Sequence, residues 1–443
     1  MAVYQAPEQW EEWAAWLAAL IDGRSRWRLP LVLMGMLFAS GRRTVTTWLR
    51  ANLLQDDYRG YYYVLQTVGR GWSAIGRRLL TLVITQVLKD ESHVLLIIDD
   101  TPTKRYGPKV QGAGIHHDPT PGPTGNEFCY GHVWVTLAVA LRHRSWGTIG
   151  LPIWSWLYVR QQDIGKLPKK YGWKFQTKLV QDADLALRAV QLLRAAGKLV
   201  WIVTDGGYTK SPYLRPLLKQ GVTLVGRLRK DAALRDLPPP VKRRGRGQPR
   251  KYGVNHISLA KRAGQTRGWT EVICQVYGRE VMKRVKTFLA TYSPFGGTIR
   301  VVIVREETGP QFFYCTELDA KPREIIEAFA DRSSIEQVFH DLKEVWGAGQ
   351  QQVRNLWSNI GVWQLNLIMY TLTELWAWQL PEQQLTRRAD SPWDDSSRRP
   401  SHADRRKALQ TQCVLGQYSS PAVARTLPKK IRQLLKCLLR LEI

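Results

Sequence analysis

Val94-Leu95-Leu96-Ile97-Ile98-Asp99-Asp100-Thr101 puts five large apolar residues in a row and closes them with two acids. An uninterrupted apolar run this short reads as a strand buried on both faces, with its acids at the carboxyl end. The pattern returns further along, where Leu199-Val200-Trp201-Ile202-Val203-Thr204 is stopped by Asp205-Gly206-Gly207. Between the two, 132–141 and 149–159 are rich in β-branched and aromatic residues and read as strands. The stretch 181–196 has Leu185, Val190 and Leu193 at helical spacing. A short helix over 211–220 and a strand over 222–228 follow. The order predicts an α/β fold with a mixed sheet, both Asp-bearing strands central and their acids at the sheet edge where sites form.

Outward from this core the chain changes character twice. Residues 1–90 place apolar and charged positions at helical spacing and predict a helical N-terminal domain, with 77–88 a plain amphipathic helix. Gly41-Arg42-Arg43-Thr44 and the residues to Arg50 could open a helix-turn-helix unit or form an ordinary basic helix. Residues 229–320 read as a β-rich insertion. It begins with a basic loop carrying Lys242, Arg243, Arg244, Arg246, Arg250 and Lys251 and continues in strands over 271–277, 285–292, 298–306 and 311–318. A long helix over 322–346 and an apolar one over 357–380 then return to the core. The tail 381–443 is polar and basic, with Arg398, Arg399, Arg405, Arg406 and Lys407. The expected division is therefore 1–90, a DNA-binding helical domain; 91–228, the first part of the core; 229–320, the insertion; 321–380, the second part of the core; and 381–443, a tail for dimerisation or DNA contact.

The 443 residues carry 65 Lys and Arg against 37 Asp and Glu, a formal charge of +28. With 44% hydrophobic residues the chain is not a disordered polyelectrolyte. Such an excess suits a polyanionic partner, nucleic acid first. Cys129, Cys274, Cys315, Cys413 and Cys437 are scattered and odd in number, which fits a reducing cytoplasm better than a disulfide scaffold. The stretch 357–380 holds only Glu374 as a charge, but its Asn359, Gln364, Asn366 and Gln379 would be costly against lipid. It reads as a buried core helix, and no membrane partner is expected.

Phe329, Arg332, Glu336 and Lys343 are spaced three, four and seven residues apart, so on a continuous helix they share one face. Taken alone, that face is an ordinary run of i,i+4 ion pairs. With Asp100 and Asp205 at the ends of their strands it becomes a third carboxylate, and hard divalent cations take oxygen ligands of this kind. Two ions clamped between such acids drive phosphoryl transfer, while Arg332 and Lys343 hold phosphate. His116 and His117 read as loop residues, and His340 as a helix-surface position.

The order of the acids, the β-rich insertion before the last of them and the run Phe329-x2-Arg332-x3-Glu336-x6-Lys343 resemble the DDE transposases of bacterial insertion sequences. The likeness is greatest to the insertion-sequence-four family and its relatives, whose signature is Y-x2-R-x3-E-x6-K. Similarity extends through the Val225-Gly226-Arg227-Leu228-Arg229-Lys230 stretch, the basic loop and Ser401-His402-Ala403-Asp404-Arg405-Arg406. Phe329 stands where the family has Tyr, and Tyr208 follows Asp205 more closely than the family spaces its aromatic. The resemblance implies an RNase H-like catalytic core and a first acid at Asp100, with Asp99 as the neighbouring choice. It implies two Mg2+ or Mn2+ ions on Asp100, Asp205 and Glu336, and DNA contacts from Arg332, Lys343, Phe329 and the basic loop. It also implies a homodimer on double-stranded element ends and target DNA, nicking followed by strand transfer, and a cytoplasmic, nucleoid-associated bacterial protein. A catalytically silent DNA-end-binding relative is the alternative, and a structural RNA-binding protein would explain the charge but not the spacing.

Overall fold

The computed structural model describes residues 4–54, 56–117, 125, 127–239, 250–386, 393–395 and 397–418. Five helices come first: α1 (Glu8–Ala18), α2 (Arg28–Phe38), α3 (Val45–Ala51), α4 (Tyr58–Arg70) and α5 (Trp72–Gln86). Strands β1 (His93–Lys104), β2 (Gly114–His117), β3 (Phe128–His143) and β4 (Gly147–Tyr158) lead to α6 (Lys178–Ala195), β5 (Leu199–Thr204), α7 (Ser211–Lys219) and β6 (Thr223–Arg227). Next are β7 (Leu234–Arg235), β8 (His256–Ile257), α8 (Leu259–Gly264), β9 (Thr270–Val276), β10 (Arg279–Tyr292), β11 (Gly297–Glu306) and β12 (Gly309–Cys315). The chain then turns helical through α9 (Pro322–Asp331), α10 (Ser334–Glu344), α11 (Leu356–Ala377), α12 (Glu382–Leu385) and α13 (His402–Tyr418). These elements fall into two compact units, and α10 and β1 each run from one into the other.

The sheet unit spans Leu88–Pro102 and Gly114–Val338. Its strands lie in the order β2-β3-β1-β5-β6-β12-β11-β10-β7-β8, with β4 on β3 and β9 on β10. The expected mixed α/β sheet is present: β1, β5 and β6 are parallel, β12 joins β6 antiparallel, and β4 runs antiparallel to β3. Val94 to Ile98 are all buried, as is every residue of β5 after Leu199. Residues 229–320 are not a separate layer. β12 pairs antiparallel with β6 through Phe313↔Arg227, Tyr314↔Gly226 and Cys315↔Val225, so the insertion lengthens the central sheet.

The helical unit gathers Met1–Val87, Thr103–Ala113 and Phe339–Ile443, a wider set of stretches than the N-terminal 90 residues. At its centre is α11, in which every residue except Trp357 is buried. Its reading as a core helix holds, and among the described residues no helix is long and apolar enough to cross a membrane. α11 meets α4 through two glycines. A Cβ on Gly69 would overlap the Trp357 carbonyl, and one on Gly361 the Leu65 carbonyl. Backbone cannot retreat as a flexible side chain can, so Gly361→Ala should destabilise the protein by about 1–3 kcal/mol. Urea denaturation reads this directly, and an unchanged midpoint would mean that the helices do not approach so closely.

Two basic residues of the tail belong to this packing. Arg405 donates from Nε to Glu374 Oε1 at 2.9 Å and from Nη1 to the Pro400 carbonyl at 2.8 Å. Arg406 donates to the carbonyls of Leu37, Ala39 and Val345 at 2.8–2.9 Å. Both are buried, so neither is a surface cation of the tail. His402 completes the group: the Trp346 indole donates to its Nε2 at 2.7 Å, leaving Nδ1 to donate to Glu374.

Candidate active site between β1 and the carboxyl end of β5

Parallel pairing sets the site. Ile97 on β1 is level with Val203 on β5, so two residues on, Asp99 comes level with Asp205 just past the end of β5. β1 itself runs on to Lys104, so the two acids lie within it and do not close it as the apolar run suggested. Successive strand residues point to opposite faces, which separates Asp99 from Asp100. Asp99 Oδ2 accepts from Arg332 Nη2 at 3.1 Å, and Arg332 Nη1 donates to Glu336 Oε1 at 3.3 Å. One guanidinium thus bridges an acid of the sheet and an acid of α10. Asp100 looks the other way and bonds Lys178 Nζ of α6 at 2.6 Å.

The helix that brings Arg332 and Glu336 here is not continuous. It breaks between α9 and α10, where Ser333 Oγ donates to Ala330 O and Ser334 Oγ to Asp331 O, each at 2.8 Å. Hydroxyls that bond nearby carbonyls in this way compete with the helical ladder. This corrects the single 322–346 helix, although the i,i+4 pair of Arg332 and Glu336 survives. The junction is tied to the sheet. Arg142 of β3 donates to Asp331 at 2.9 Å, and Thr148 of β4 to its other oxygen. Gly150 of β4 lets α10 close in, since a Cβ there would sit 2.8 Å from Val338 Cγ2. Phe329 packs its ring on Phe313 at 4.8 Å, with the Arg332 guanidinium 5.9 Å over it, and so steadies the arginine. Lys343 lies in the last turn of α10.

Burial pushes the Asp99 carboxyl up to about 6; the charges of Asp100 and Asp205 add to this, while Arg332 and the Asp100 amide oppose it. A folded value above the ordinary one means that the native state binds this proton more tightly than the unfolded chain. Stability from this group is therefore fully present below about pH 4 and is lost as pH rises through about 6. In metal-free buffer, Asp99→Asn should gain stability relative to wild type across that interval, by on the order of 2–3 kcal/mol. Parallel melting-temperature curves for the two proteins between pH 4 and 8 would exclude a buried, ionising Asp99.

On the Lys178 side, Asp182 of α6 is fully buried. Burial, and next the charge of Asp100, hold it well above the usual carboxylate range. His116 and His117 lie on β2, not in a loop. Burial and then the charges of Arg160 and Lys178 push the His116 imidazole down to about 4. His340 is exposed and bonds its neighbour Asp341 at 3.1 Å. On the other flank, Asp205 opens into a groove of about 600 Å³ lined by Lys210, Arg227, Arg229, Lys230 and Phe312. None of Lys178, Asp182 or Lys210 was singled out from sequence; Arg227, Arg229 and Lys230 had been noticed only as part of a similar stretch. Of the basic-loop residues, Arg250 and Lys251 are exposed, whereas Lys242, Arg243, Arg244 and Arg246 lie outside the described residues.

Among the described residues no three His, Cys, Asp or Glu side chains converge tightly enough to hold a metal as they stand. The donors nevertheless suit a hard divalent ion. They are carboxylates with a cation already between two of them, and Asp99 is short of the counter-charge that would ionise it fully.

A family model described as DDE superfamily endonuclease matches residues 17–285. The chain belongs to this family. The matched part of this DDE endonuclease contains Asp99, Asp100 and Asp205, and it ends before α9 and α10, so Arg332 and Glu336 join the site on geometry. No curated protein matches the chain.

Proposed function

We propose that this DDE endonuclease is the transposase of a bacterial insertion sequence, nicking DNA at terminal inverted repeats and joining the freed 3′ ends to target DNA. The observation that carries the reading is the Arg332 fork between Asp99 and Glu336, level with Asp205. We assign the acid set to Asp99, Asp205 and Glu336, with Asp99 taking the place first expected of Asp100. Asp100, bonded to Lys178, stands one residue behind. Bound there, Mg2+ or Mn2+ would activate the attacking oxygen and neutralise charge on the leaving one.

The chain's own residues do the rest. Arg332 swings from carboxylate to phosphate, for which its planar fork is equally suited. Lys343, a helical turn and more beyond Glu336, adds a point charge on the same helix. The Lys210, Arg227, Arg229 and Lys230 groove receives the sugar-phosphate backbone beside Asp205, and the exposed Arg250 and Lys251 add further cations. Processing two ends requires two active sites, so the proposal includes a pair of copies on DNA.

The test is a plasmid carrying the repeats that flank the gene, incubated with protein and Mg2+ or Mn2+. Nicks at the repeat boundaries support the reading. Tight binding to the repeats without nicking in either metal would replace it with the silent end-binding protein.

A further inference from the structure

On the Asp100 side of the sheet lies a stretch that acid chemistry does not use. Lys166-Leu167-Pro168-Lys169-Lys170-Tyr171-Gly172-Trp173-Lys174-Phe175-Gln176-Thr177-Lys178 holds five lysines and no acid. Apart from the end of a 3-10 helix at Lys166, a 3-10 turn over Lys169–Tyr171 and the start of α6 at Lys178 it has no helix or strand, and Gly172 reverses it at a φ of 58°. It crosses β4 as a strap. Trp173 stacks on Trp156 with centroids 5.0 Å apart and planes 6° from parallel. Phe175 meets Tyr158 at 6.5 Å yet stays 38% exposed. At the far end, Lys178 lies 5.6 Å over the Tyr158 ring while it bonds Asp100.

Three of the five charges are not spent on folding. Lys166 is matched by Asp163 at 2.8 Å. Lys169, Lys170 and Lys174 are exposed and have no ion-pair partner among the described residues. Like charges crowded along an irregular segment oppose folding unless something anionic meets them. Aromatic rings set between exposed lysines match a nucleic acid whose bases are unpaired, with phosphates on the cations and bases on the rings. A closed duplex offers such rings nothing, since its bases are already stacked on one another.

We propose that the strap over 166–178, with Trp156 and Tyr158 beneath it, is a binding track for a single unpaired DNA strand running toward Asp100. This rests on the DNA-endonuclease reading and adds to it the state of a strand held on the face of β1 opposite Asp99.

The experiment is fluorescence anisotropy in EDTA, so that no cleavage occurs, with labelled oligo-dT, oligo-rU and a duplex of equal length. Full-length wild type is compared with Phe175→Ala and with Lys169, Lys170 and Lys174 together changed to Ala, each variant first shown to melt as wild type does. Phe175→Ala should weaken oligo-dT binding roughly tenfold and leave duplex binding within about twofold. The triple change should make the plot of log affinity against log salt shallower by about 2 for oligo-dT. The proposal is overturned if Phe175→Ala binds oligo-dT as wild type does, if it weakens oligo-dT and duplex alike, or if oligo-rU binds more tightly than oligo-dT. Because EDTA removes the metal, this outcome is independent of nicking. A protein that never nicks in Mg2+ but shows the expected pattern would count against the endonuclease reading and in favour of the track.

Discussion

Asp99→Ala, Asp205→Ala and Glu336→Ala should each lose metal-dependent nicking by at least about 10³-fold, the equivalent of about 4 kcal/mol of transition-state stabilisation. Asp100→Ala should retain far more activity, because its carboxylate is bonded to Lys178 on the other face of β1 and not to Arg332. A comparison of the two neighbours is the sharpest form of the experiment. They share backbone and strand, and differ only in which face of the sheet they serve. If Asp100→Ala is as inactive as Glu336→Ala while Asp99→Ala cleaves normally, the acid set reverts to Asp100, Asp205 and Glu336, and Arg332 holds Asp99 for structural reasons alone. Single-turnover cleavage at saturating Mg2+ keeps weakened metal binding from being mistaken for lost chemistry.

The second large effect concerns stability. Glu374→Ala should destabilise the protein by about 3–5 kcal/mol, since it leaves Arg405 buried without its carboxylate. Burial alone would raise the Glu374 carboxyl, but Arg405 and His402 overcome it and hold it below the ordinary glutamate range. A lowered folded value means that this stabilisation is fully present above the unfolded pKa and is lost as pH falls through the folded one. The deficit of Glu374→Gln in guanidinium unfolding should accordingly be largest near neutrality and shrink in acid. A deficit that does not change with pH would show that Glu374 contributes by packing and not by charge.

Much of this architecture was legible from short runs of residues. The 94–98 and 199–204 runs are strands because nothing polar interrupts them, and 357–380 reads as a core helix because its Asn359, Gln364, Asn366 and Gln379 would be costly against lipid. What escaped depends on residues far apart in the chain. Adjacent acids at 99 and 100 cannot be told apart until the helices on the two faces of β1 are known. Arg405 and Arg406 look like surface cations until Glu374 and the Leu37 and Ala39 carbonyls come within reach. The break after α9 lay in two serines whose hydroxyls have a choice of carbonyl. Four strands of the insertion, β9 to β12, were recognised one by one, while the two-residue β7 and β8 were not; the joining of β12 to β6 is a matter of register, which composition does not carry.

That junction limits how the gene can be rearranged. β6 is flanked by β5 on one side and β12 on the other. Excising 229–320 as though it were a detachable module would strip the outer side of Val225, Gly226 and Arg227 of its backbone partners. The result is a raw sheet edge of the kind that recruits other chains and precipitates. A shortened version of this protein can tolerate loss of the outlying β7, β8 and β9, but must keep β12 or bring another strand to cover the same edge.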